Sequence, residues 1–224
     1  MEKQKKDYYF DKFTDIFKNI GINNSLNHIH NNVYEFYNDF NENRYSIFIE
    51  NGWGEKGFLI GNVRSRIAFN QVNKILKKYI PKSYFEISEA TLNNGYINNK
   101  WSDLMQTDFN NYLKSDEDIQ NFEKKITQHT QEYILPFFNK FTKLESIQFE
   151  IYDKLEYDEY PEFFPGNCTF KNLIIMQELN YYKLKDYIIY KDNDYKKYVL
   201  QNADMWQSSY EDFKVLVKDI GHKL

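Results

Sequence analysis

Between Val33 and Ile60 the chain carries three β-rich runs set apart by turn residues, and no other stretch limits the fold as strongly. The runs are Val33-Tyr34-Glu35-Phe36-Tyr37, Tyr45-Ser46-Ile47-Phe48-Ile49 and Phe58-Leu59-Ile60. Asn41-Glu42-Asn43 separates the first two, and Asn51-Gly52-Trp53-Gly54 the last two. Aromatic and β-branched side chains fit a pleated surface, and Asn and Gly tolerate the backbone of tight turns. An antiparallel meander is therefore expected. One face of such a sheet needs a cover, and segments of helical period on either side of it supply one.

The first of these is Tyr9 to Ile20, where Phe10, Phe13, Phe17 and Ile20 recur at helical spacing before Gly21. Asn23-Asn24-Ser25 reads as a loop. Asn70 is placed to cap a short helix carrying Val72, Ile75, Leu76 and Tyr79, stopped by Pro81. A further strand is expected at Tyr84-Phe85-Glu86-Ile87-Ser88, ahead of the turn Asn93-Asn94-Gly95. Ser115 followed by Asp118 makes a capping pair for the strongest helix, whose face is Ile119, Phe122, Ile126, Tyr133 and Phe137 with Thr130 as a polar gap. Pro136 should kink or end that helix near Leu135. Ile147, Phe149 and Ile151 alternate, which fits a strand and leaves a helix open.

Residues 155 to 166 change character, with two prolines, a glycine and four acids in Glu156-Tyr157-Asp158-Glu159-Tyr160-Pro161-Glu162-Phe163-Phe164-Pro165-Gly166. This is expected to be a loop or linker. Beyond it, 170–179, 182–199 and 205–220 read as helices. The fold class expected is α+β: an antiparallel meander sheet packed with helices, followed by a helical C-terminal region. A sheet-and-helix unit spans 1–153, an acidic aromatic loop 154–166 and the helical region 167–224. Whether that region packs on the first unit or stands apart is left open by the sequence.

Charge and composition restrict the function. Lys+Arg number 29 against 33 Asp+Glu, a net of −4, so no global field recruits nucleic acid or an anionic membrane. Mean hydropathy is −0.76 and no apolar run approaches the length of a membrane span. Cys168, the single cysteine, forms no internal disulfide, and the charged start Met1 to Asp7 contains no apolar core of an export signal. A cytoplasmic protein is expected. The 20 Tyr and 19 Phe accompany abundant Asn, Lys and Ile, a set that base bias in the genome explains. They alternate with acids as often as with lysines, so core packing is favoured over stacking on single-stranded bases.

The catalytic motifs fail for physical reasons. Gly52-Trp53-Gly54-Glu55-Lys56-Gly57 matches G-x-G-x-x-G, but Phe58-Leu59-Ile60 follows where a dinucleotide site needs a helix. A kinase-type glycine loop would need its His-Arg-Asp and Asp-Phe-Gly partners, and the chain has neither. The glycines are read as a hairpin turn. His28 and His30 sit two apart in what looks like an exposed loop; with only His129 and His222 besides, no metal site is expected. Cys168 lies near a helix start, where a dipole lowers a thiol pKa, yet a buried structural cysteine is the expected reading. No catalytic residue and no cofactor is assigned.

The least ordinary surface is the acidic aromatic loop. Asp153, Glu156, Tyr157, Asp158, Glu159, Tyr160 and Glu162 are the candidate partner-binding residues, with Phe163 and Phe164 beside them. Carboxylates steer the encounter with a basic partner and rings supply buried contact area. The competing reading is a solvated linker whose rings pack back onto the domain.

From Phe13 to about Leu155 the chain resembles small bacterial domains of unknown function found beside polymorphic-toxin genes. The matching pieces are the opening helix Phe13–Ile20, the strands of Val33–Ile60 with Gly52-Trp53-Gly54, and the helix Ile119–Phe138 ending in Leu135-Pro136-Phe137-Phe138. The resemblance implies an immunity protein that neutralises a cognate toxin by binding it, and the acidic aromatic surface suits a basic toxin domain as the partner. It brings no catalytic residue. The alternative kept open is an enzyme, a hydrolase or nucleotide-handling protein, using carboxylates, His28, His30 or the glycine loop.

Overall fold

A computed structural model of the chain describes residues 2–28, 32–54, 57–80, 90–94 and 112–221, with the backbone alone for 2–6. Contacts divide the chain into two units, Met1–Ala68 with Asn93–Phe141 and Phe69–Leu92 with Thr142–Leu224. Each draws on two separate stretches of sequence.

The first unit holds the sheet. Helix α1 (Glu2–Asn19) leads to β1 (Asn24–His28), β2 (Val33–Phe40), β3 (Asn43–Gly54) and β4 (Gly57–Ala68), in meander order and antiparallel throughout. The expected antiparallel meander is present, with one strand more than the sequence suggests. Of Asn23-Asn24-Ser25, read as a loop, the last two open β1: Asn24 pairs with Tyr37 and His28 with Val33. Its Asn-rich composition has low strand propensity, and the neighbouring β2 overrides it. The expected turn at Asn51 to Gly54 also moves, because β3 runs on to Gly54, past a register shift between Ile49 and Asn51.

Strand alternation sends Tyr34, Phe36, Ile47, Ile49 and Val63 to one face, all buried. Helix α1 covers that face with Phe13 and Phe17, and Phe17 stacks on Phe36 at 4.2 Å. Phe13 stacks at 4.5 Å on Phe122 of the later helix α3 (Asp116–His129).

Between these segments in the chain come α2 (Asn70–Leu76), β5 (Leu92–Asn93) and β6 (Tyr112–Leu113). Helix α2 begins at Asn70, with Phe69 at the cap position and no side-chain cap. The strand expected at Tyr84–Ser88 and Gly95 of the following turn lie outside the described residues. Ser115 and Asp118 form the expected reciprocal capping box at α3. Pro136 does not end the helical run. A π-helical turn, Thr130–Ile134, shifts the hydrogen bonding so that Leu135 N–H reaches Thr130 O. Pro136 then falls at the start of α4 (Leu135–Lys140), where a missing N–H goes unused.

The second unit is helical. After α5 (Leu144–Ile147) comes a second π-helical turn, Gln148–Tyr152, so the alternating Ile147, Phe149 and Ile151 are helical and not a strand. Ile147 and Ile151 are buried and Phe149 is exposed, a pattern that a helix gives as readily as a strand. A 3-10 turn, Tyr160–Glu162, precedes α6 (Cys168–Glu178), α7 (Leu184–Gln201) and α8 (Ala203–Asp219). Helix α6 is the central element, with Phe170 through Met176 all buried. Lys171 is buried among them, and its ammonium donates to the carbonyls of Ala90 and Pro165. Helices α7 and α8 pack on each other, with Asn202 capping α8 through the amide of Met205 at 3.2 Å. Among the described residues no helix is long and apolar enough to cross a membrane.

Candidate functional site

The acidic aromatic segment divides by burial. Asp153, Glu156, Asp158, Glu159 and Glu162 are exposed, Tyr157 is half-buried and Tyr160 is completely buried. Tyr160 thus belongs to the core: its ring lies 5.1 Å from Tyr152 and 5.8 Å from Tyr187. Tyr157 rests on Tyr187 and Tyr190, each at 5.2 Å, and desolvation followed by nearby Asp186 and Glu156 raises its phenol pKa. The rings therefore anchor the segment from beneath and leave the carboxylates on top.

Two of those carboxylates are also fixed locally. Glu159 accepts from the Glu156 amide at 2.8 Å, and Asp153 accepts from the Tyr181 hydroxyl at 2.9 Å. Lys154, the only base between 153 and 162, pairs with Glu150 at 2.7 Å. Among the described residues none of the five carboxylates has an ion-pair partner, so their charge is not neutralised. The start of α7 extends the patch with Tyr182, which is 73% exposed, and with Asp186. Sequence reading missed these two, because only the fold brings Asp186 beside Tyr157.

The remaining candidates separate. His28 is not in a loop: it ends β1, and its Nε2 lies 2.7 Å from Glu35 Oε2. His30 and His222 lie outside the described residues, which contain no cluster of three or more His, Cys, Asp or Glu suited to a metal. The glycine stretch joins β3 to β4, so a strand follows it as expected, with Glu55 and Lys56 outside the described residues. Cys168 opens α6, but desolvation pushes its thiol up to about 11 against the opposing pull of Lys191 and Lys171. Such a thiol is protonated at neutral pH and a poor nucleophile.

One cluster escaped the sequence reading except for His28. On the sheet face away from α1, Glu35 accepts from Ser46 Oγ at 2.7 Å as well as meeting His28. Arg66 lies with its guanidinium carbon 4.6 Å from the Phe48 ring, and its Nε is buried without an acceptor among the described residues. Burial and the neighbouring Arg64 lower its pKa, opposed by Glu35 and Glu50. Period-2 alternation puts these residues on one face, a signal available in the sequence but hidden by the apolar residues between them.

Comparison with protein-family models, with curated proteins and with solved structures finds no match for this chain.

Proposed function

We propose that this protein is a non-enzymatic binding module of the immunity type, which neutralises a cognate toxin by direct association. One observation carries the reading: five exposed carboxylates, none with an ion-pair partner among the described residues, stand on a segment whose tyrosines are locked into the unit below. A segment whose rings are packed before binding loses little backbone freedom on association, and its charges steer a basic partner into register. Tyr157, Tyr182 and Tyr190 border the carboxylates and supply ring area for the contact.

The partner to test is the protein encoded beside this chain. Its expression alone should arrest growth, and co-expression of this protein should restore it. The double variant Asp158→Lys/Glu162→Lys should slow association by about tenfold or more at low salt, since rim charges act chiefly on the on-rate. Its thermal unfolding should stay close to that of the parent, because both side chains are exposed. A neighbouring protein that is harmless, or whose binding ignores the charge reversal, would overturn the proposal.

A second reading, an enzyme, is favoured by the His28–Glu35 pair beside Arg66. A carboxylate holding an imidazole is how general bases are oriented, and a guanidinium stabilises developing negative charge. Hydrolysis of simple phosphate or carboxylic esters that His28→Ala abolishes would select this reading over binding.

A further inference from the structure

The second unit contains a groove of about 520 Å3, bounded by the end of the α2 segment, the start of α6 and the facing sides of α7 and α8. That volume lies within the range of small-molecule sites. Tyr79, Phe170, Tyr195 and Trp206 supply its rings, and Ser208, Ser209 and Asp212 its polar edge. Three of these rings are held from outside the groove. Tyr79 donates to Asp219 at 2.9 Å, Tyr195 stacks on Tyr210 at 5.8 Å, and Trp206 lies 5.0 Å from Tyr198. The walls are thus set before any ligand arrives.

The charge of the lining is simple. Asp212 is the only acidic or basic side chain in the lining, while burial pushes the Cys168 thiol up to about 11 and the Tyr195 phenol up to about 12. Asp212 is exposed and has no ion-pair partner among the described residues. A single uncompensated carboxylate beside aromatic faces matches one kind of ligand, a monocation with an apolar body. The ring quadrupoles and the carboxylate attract the cation, and the ring surfaces cover the rest. Residues Gly166 to Phe170, where α6 begins, line the other wall. The positive end of that helix keeps the cation on the Asp212 side.

We propose that this groove binds a small organic ammonium, with its charged nitrogen on Asp212 and its apolar body against Trp206, Tyr195 and Tyr79. The site includes none of the candidate partner-binding residues between Asp153 and Glu162, so it stands or falls independently of the toxin-binding reading.

The test is a titration of the full-length protein with phenethylamine, followed by the indole N–H resonance of Trp206 in an NMR spectrum. Trp206→Phe assigns that resonance among the three tryptophans. A saturable shift is expected, weakened by about tenfold or more in Asp212→Asn and with the uncharged analogue 2-phenylethanol. Phenylalanine forms a further arm: tighter binding than phenethylamine assigns the site to amino acids, weaker binding to simple amines, and both orders support the ammonium contact. Asp212→Glu keeps the charge and should retain binding, which guards against misreading a folding defect. The proposal is overturned if no saturable shift appears, or if Asp212→Asn or the neutral analogue binds as well as the parent with the amine.

Discussion

Two buried tyrosines show how much a hydroxyl's partner matters. Tyr152 donates to Asn172 Oδ1 at 2.7 Å, whereas the Tyr160 hydroxyl is buried with no partner among the described residues. A satisfied buried hydroxyl contributes about 1 kcal/mol, and an unsatisfied one carries a desolvation penalty of similar size. Tyr160→Phe should therefore leave stability unchanged or raise it by about 1 kcal/mol, while Tyr152→Phe lowers it by about 1–2 kcal/mol. Urea denaturation of the two variants beside the parent checks both signs. His129 offers a pH counterpart. It is buried at the end of α3, and desolvation lowers its pKa from 6.5 to about 4, with Glu132 opposing. Between those values the unfolded chain binds a proton that the folded one refuses. Stability should thus fall as pH drops from 6.5 towards 4, by on the order of 3 kcal/mol, and this contribution should level off below. His129→Leu should flatten that slope in denaturation curves taken across the range.

At the scale of elements, the glycines of the failed nucleotide motif have a structural use. Gly57 has φ +133°, and a Cβ there would stand 2.9 Å from the Leu113 carbonyl oxygen. Gly57→Ala should cost about 1–3 kcal/mol through backbone strain and displacement of β6, measured as a lower denaturation midpoint. Here the sequence was legible, since a strand directly after the glycines argued for a turn. The same holds for α1, for β2 to β4 and for the Ser115–Asp118 cap, where period and cap residues agree. It failed where local preference lost to context. Asn24 to His28 became a strand because β2 offered it a ladder; at Ile147 to Ile151 a three-residue alternation fits both periods, and of the two readings left open the helical one is present. At Pro136, of the kink or end expected, the end is absent for a different reason. Composition does not show that a π-helical turn has already released the hydrogen bond the proline lacks. Of the candidate surface, the carboxylates were legible as a charge cluster, but the burial of Tyr160 and the arrival of Asp186 depend on how α7 returns to the segment.

At the scale of the whole molecule, neither unit is a continuous piece of chain. The second takes Phe69–Leu92 from the middle of the sequence, and with it the buried Val72, Leu76, Ile80, Ala90 and Leu92. A fragment starting at Thr142 would lack all five, leaving α6 without its α2 contact. It should keep helical circular dichroism but lose a cooperative thermal transition, and adding residues 69–92 in trans at high concentration should recover part of it. The Lys171 ammonium, holding Ala90 and Pro165 together, also bears on how the protein is made. Ala90 leaves the ribosome 81 residues before the lysine that will bind its carbonyl. Every element of the first unit has been synthesised by Phe141, whereas α2 must wait with its apolar side chains uncovered until α6 emerges. Translation thus completes the sequence of the sheet unit first, and apolar surface of the kind that chaperones bind stands in the chain during the interval before Lys171 appears.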